Sequence, residues 1–207
     1  MANWCDTMYV VTGNEKDIKD FHRALREIHN DFNMAKAGFN GLWLGNILEY
    51  FGLNWKDYNC KGCIYYTEPK YWKEGSLYKL HFATETVWVP MNKVFDAIFE
   101  KHYPSLRYYY RTEEAGLGLF ATNDKEGKYF PEKFILDVSG EDKNGDPVEL
   151  YEYYESLADL LEDVKQISDK DFKTLEEIGE YFNCLNEKSM NDNSCYYYSI
   201  RKFEVVC

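Results

Sequence analysis

Ile18, Phe21, Leu25, Ile28 and Phe32 recur at steps of three and four immediately after a strand-like segment, residues 3–13. That arrangement leaves few folds open. A helix with one apolar stripe gains its stability by covering the stripe, and a neighbouring sheet supplies the surface. Asn14 is placed to cap the helix, and Asp17 lies near its positive end. The spacing predicts a helix of about 15–19 residues.

The pattern continues along the chain. Residues 42–51 read as a second, short helix that Gly52 stops. Residues 62–68 and 77–88 read as strands joined by a loop with Pro69 and Gly75. Pro90 suits the first turn of a helix carrying Met91, Val94, Phe95, Ile98 and Phe99, and Pro104 ends it. Residues 105–113 and 117–123 form a hairpin around Gly116. The order β-α-α-β-β-α-β predicts an α+β protein. Its plan is the ferredoxin-like split β-α-β, an antiparallel sheet with helices on one face.

Beyond this lie strand patterns at 128–138 and 147–154, around the turn signal of 141–146. Ser156 caps a helix with Leu157, Leu160, Leu161 and Val164. After a break at Ser168 and Asp169, a second helix carries Phe172, Leu175, Ile178 and Phe182. Residues 186–194 read as a polar loop and 195–206 as a terminal strand. The expected organisation is a ferredoxin-like domain, 1–138, and an acidic β-α-α-β extension, 139–207.

Charge separates the two parts. The chain holds 36 Asp+Glu against 24 Lys+Arg, a net charge of −12. Residues 1–130 carry −1 of it and 131–207 carry −11. Such a balance argues against direct duplex DNA binding, which rests on Lys and Arg neutralising phosphates. The concentration of charge after residue 130 reads either as a solvated helical surface that keeps the chain in solution or as a surface that meets a basic protein partner. The expected partner surface is Glu149, Glu152, Glu155, Asp159, Glu162, Asp163, Glu176, Glu177 and Glu180. The 45% apolar share, with 18% aromatic, is that of a chain with a real core. No leader-like or membrane-spanning run is present. Six cysteines, at 5, 60, 63, 184, 195 and 207, then read as reduced cytoplasmic thiols. Oligomeric state is not set by any of these features.

Three segments together resemble the YubB ferredoxin-like domain family of phage, plasmid and other mobile-element proteins, over roughly residues 1–138. The first is Asn3, Trp4 and Cys5 before a strand and helix. The second runs from Thr84 and Glu85 through Trp88 to Pro90. The third holds Tyr108, Tyr109, Tyr110, Arg111, Glu113, Glu114 and Gly116, followed by Thr122, Asn123 and Asp124. The resemblance implies the fold and a mobile-element setting and brings no activity with it. Where family members often carry an Arg before the glycine near residue 61, this chain has Lys61 and Gly62, flanked by Cys60 and Cys63.

Motifs for catalysis are sparse. There is no P-loop, G-x-S-x-G or H-E-x-x-H. Cys60 and Cys63 are half of a zinc-knuckle pattern with no second close pair, so they read as ordinary thiols, and neither a metal nor a cofactor is expected. His22 and His29 share one helical face, two turns apart. Glu85, Glu113, Glu114 and Asp124 form an alternative small-ligand, metal or enzyme site, if they converge. Sheet aromatics such as Trp4, Tyr65 and Trp88 offer a second alternative, single-stranded RNA binding, although Lys101, Arg107 and Arg111 are the nearest thing to a basic cluster. The leading expectation is a non-enzymatic cytoplasmic binding protein of a mobile element. In its sharper form, the acidic helices imitate nucleic acid and block a host defence protein.

Overall fold

A computed structural model describes residues 3–30, 42–191 and 196–206. Phe32, Cys195 and Cys207 lie outside the described residues. The architecture is mixed α+β, with strands in two sheets. The chain divides into two compact units, Met1–Lys125 with Val205–Cys207, and Glu126–Glu204.

The first unit holds β1 (Trp4–Gly13), α1 (Glu15–Asn30), α2 (Leu44–Tyr50), β2 (Gly62–Thr67), β3 (Trp72–Glu74), β4 (Leu77–Val87), α3 (Asn92–His102), β5 (Arg107–Glu114) and β6 (Leu119–Thr122). The expected cap forms: Asp17 N–H donates to Asn14 Oδ1 at 2.8 Å. β1 lies between β4 and β5, antiparallel to both. The sheet order is β10-β6-β5-β1-β4-β2, with β3 also on β4 and β10 (Glu204–Val205) at the far edge. β3 falls inside the expected loop. Its hairpin closes at Gly75, whose φ of +61° suits glycine, and Lys79 pairs with Glu74 across it.

One face of this sheet meets the helices. Tyr9, Val11, Leu80 and Phe82 pack with Ile18, Phe21, Leu25 and Ile28 of α1, with Leu44 and Ile47 of α2, and with Phe95 and Ile98 of α3. The interior is aromatic: Tyr9 stacks on Phe82 at 4.7 Å, and Phe95 lies 4.9 Å from Phe82. Each such ring contributes about 1.5–3 kcal/mol through burial. Pro90 stands ahead of α3 rather than in its first turn, because Thr86 Oγ1 donates to Val89 O at 2.8 Å and holds 86–89 as a turn.

The second unit holds β7 (Phe134–Glu141), β8 (Pro147–Tyr154), α4 (Leu157–Ser168), α5 (Leu175–Asn191) and β9 (Tyr197–Lys202), with sheet order β8-β7-β9. Its core joins Leu136 and Val138 to Leu160, Val164, Ile178 and Phe182. The sequence reading differs in several places. Phe172 precedes α5 instead of lying on it, and the expected terminal strand 195–206 divides at Phe203 into β9 and β10. β7 starts at Phe134 rather than at 128, since Pro131 has no N–H for a ladder and pairing begins with Lys133 N–H on Tyr154 O. β7 therefore belongs whole to this sheet, and the division falls at 125/126 rather than at 138/139. The expected loop 186–194 is helical to Asn191. Asn186 there turns its amide onto edge strand β9, accepting from Tyr198 N and donating to Tyr198 O, both at 2.8 Å. The helical side chain thus satisfies backbone groups that an edge strand leaves open.

Candidate functional site

Strand alternation puts Trp4, Asp6 and Met8 on the face of β1 opposite Tyr9 and Val11. Register sets Asp6 opposite Glu85 of β4 on one side and Glu113 of β5 on the other. Three carboxylates thus stand in a row across adjacent strands, about 4.8 Å apart strand to strand. Like charges placed so are unfavourable unless something answers them. Two groups do. Arg111 Nε lies 3.2 Å from Glu113 Oε1, and the Tyr65 hydroxyl donates to Asp6 Oδ2 at 2.8 Å. Partial burial, then the Asp6 bond and the charges of Asp6, Glu85 and Glu113, push the Tyr65 phenol well above its usual range. Trp4 and Met8, both exposed, flank Asp6 along β1. Chemically, the row attracts cations and places aromatic rings beside them.

The four carboxylates proposed from sequence therefore do not gather at one place. Glu85 and Glu113 share a face, and the residue joining them, Asp6, was missed. Only strand register reveals it. Glu114 is buried and accepts the N–H groups of Gly116 and Leu117, closing its own turn. Asp124 is buried after β6, its N–H donating to Thr122 Oγ1 at 3.1 Å. Asn123 bridges β5, accepting from Tyr110 N at 2.7 Å and donating to Tyr108 O at 3.1 Å. Trp88 is exposed with φ +71°, rare for a bulky residue, and Lys61 Nζ sits 4.9 Å above its ring.

Burial holds the Cys60 thiol up at about 11, the opposite direction from a reactive thiolate. Gly62 between Cys60 and Cys63 has φ +143°, and a Cβ there would stand 2.2 Å from Glu85 O. The glycine lets β2 approach β4 where the Cys pair enters the sheet. Among the described residues, no three His, Cys, Asp or Glu side chains are set to hold a metal ion. His22 is buried in the first unit, whereas His29 is exposed.

In the second unit, Asp159, Glu162 and Asp163 lie on α4, Glu176, Glu177 and Glu180 on α5, Glu149 and Glu152 on β8, and Glu155 after it. All are exposed except Asp163, half-buried and accepting the Tyr154 hydroxyl at 2.7 Å. Two lysines nearby pair elsewhere: Lys143 with Asp169 at 3.1 Å and Lys165 with Asp171 at 2.7 Å. Among the described residues, none of the nine joins an ion pair. They do not share a single wall, since Glu149 and Glu152 differ by an odd step on β8 and point to opposite faces. Six of the nine belong to the two helices.

Comparison with protein-family models, curated proteins and solved structures gives no match for this chain. Among the described residues, no helix is long and apolar enough to cross a membrane.

Proposed function

We propose that this chain is a cytoplasmic, non-enzymatic binding protein of a mobile element, and that the outer faces of α4 and α5 meet a basic protein partner. The carrying observation is charge without internal compensation. Residues 126–204 hold twenty Asp+Glu against nine Lys+Arg, and the helical carboxylates named above have no ion-pair partner among the described residues. Uncompensated charge of one sign steers an oppositely charged partner and is energetically cheaper to leave in water than to bury unpaired.

The split β-α-β reading of the first unit is supported by the antiparallel order β5-β1-β4-β2, with α1 and α3 as the crossover helices. That plan, with Trp4, Glu85, Trp88 and the 108–124 segment, underlies the likeness to YubB-type domains. In the sharper form, the acidic helices occupy a nucleic-acid site on a host defence protein. The RNA alternative is disfavoured by Asp6, Glu85 and Glu113, which would repel phosphate from the face carrying Trp4 and Tyr65.

The test uses the full chain as bait in a bacterial lysate, beside a variant with Glu162, Glu176, Glu177 and Glu180 changed to Gln. Basic proteins held by the native chain at about 50 mM salt should be lost at about 500 mM and lost from the variant. Duplex DNA should displace them if the mimicry form holds. Capture indifferent to both salt and the four substitutions would refute the reading.

A further inference from the structure

The first unit carries a feature of opposite sign. Lys19, Arg23 and Arg26 follow at steps of four and three, which brings them onto one face of α1. No stretch of the linear sequence looks basic there, because Asp20 and Glu27 are interleaved. In the fold, these cations line a cavity of about 800 Å³ together with His22, Glu27, Asn30, Tyr50 and Tyr71. A neighbouring cavity of about 410 Å³ shares His22 and Arg26 and adds His29.

Among the described residues, Asp20 and Glu27 on this face are already engaged. Asp20 and Glu27 both approach Arg23, at 2.9 and 3.7 Å, and Glu27 also accepts the Tyr50 hydroxyl at 2.6 Å. Lys19 and Arg26 make no hydrogen bond or ion pair among the described residues, and both are exposed. The wall behind them is built rather than loose. His22 is 6% exposed, its Nε2 donates to Glu68 O at 3.1 Å, and the Tyr71 ring meets it edge-on at 5.8 Å.

We propose that this groove binds a small phosphate-bearing ligand the size of a mononucleotide. Lys19 and Arg26 pair with its phosphate, and Tyr50 and Tyr71 bound its uncharged part. Lys19 and Arg26 stand two turns apart on α1, so their long side chains approach a phosphate from either side, and a guanidinium fork with an ammonium suits a multi-oxygen anion better than a lone carboxylate. The volume is in the range of small-ligand sites. A long polyanion is disfavoured by the net charge of −12, whereas a small anion meets only the local field. The residues named for this site belong to the first unit and none lies on the acidic helices, so its failure leaves the partner reading untouched.

Calorimetric titration of the full chain at low ionic strength tests it, with ATP, AMP, inorganic phosphate and adenosine as probes. ATP and AMP bind, ATP more tightly; inorganic phosphate competes with them, and adenosine does not bind. The double variant Lys19→Glu with Arg26→Glu, both at exposed positions, weakens AMP at least about tenfold, a difference of ~1.4 kcal/mol, with an unchanged melting curve. A matched variant, Lys56→Glu with Lys93→Glu, leaves AMP binding as it was. The proposal falls if no phosphate-bearing probe binds below about 1 mM. It falls equally if adenosine binds as well as AMP, or if both charge variants behave alike.

Discussion

The two units share one plan, an antiparallel sheet with helices packed on a face, yet they distribute charge and rings differently. The first holds sixteen Asp+Glu against fifteen Lys+Arg and packs Tyr9, Phe21, Phe82, Phe95 and Phe99 into a single aromatic interior. The second concentrates nearly all the net charge around a smaller core of Leu136, Val138, Leu160, Val164, Ile178 and Phe182. The contrast shows that a small core tolerates a one-signed coat, because solvated carboxylates are screened and demand no partner. It also separates two surfaces: carboxylates without an ion-pair partner among the described residues in one unit, and a cavity lined by Lys19, Arg23 and Arg26 in the other.

The largest effect that can break this contrast is loss of a central ring. Phe82→Ala should destabilise the first unit by about 4 kcal/mol. Hydrogen exchange should show lost protection in β1, β4 and α1 while β7 and α4 keep theirs. Equal loss in both units would mean that they unfold as one block. Next, Gly62→Ala should cost about 3 kcal/mol in denaturant melts, since both the left-handed φ and the approach to Glu85 O oppose a Cβ. In the second unit, Asn186→Ala should cost about 1–2 kcal/mol by orphaning both backbone groups of Tyr198, read as faster exchange of the Tyr198 amide.

A smaller effect separates the units by pH. Burial holds His22 and His81 below the ordinary histidine value of 6.5. The unfolded chain then takes up the proton first, so the stability from the neutral rings is full above about pH 6.5 and drains as pH falls past it. Melting temperature should decline from pH 7.5 to 5.5, and His22→Gln with His81→Gln should flatten that decline. Smallest of all, added salt should slow exchange in α4 and α5 slightly by screening their carboxylates, with little change in α3.

Much of the chain was legible because its signals are local. The α1 stripe, the Asn14 and Ser156 caps and the split of charge near residue 130 each need only a few neighbouring residues to be read. β3 was missed because three residues, Trp72, Lys73 and Glu74, carry no periodicity of their own and become a strand only against β4. The end of α5 was missed because its polar residues, Asn186 and Ser189, look like loop until Tyr198 of β9 and Tyr196 just before it are present to exchange hydrogen bonds with them.

What the sequence determined by itself is therefore composition along the chain: which segments have an apolar side, where the capped helices α1 and α4 start, and which third carries the negative charge. Tertiary structure alone decided which side chains meet. Asp6 stands between Glu85 and Glu113 through strand register, and Lys19 and Arg26 come to line one cavity with Tyr50 of α2 and with Tyr71, which lies just before β3. Pairings of that kind join residues far apart in the chain, and their free energy depends on a geometry that no local pattern encodes.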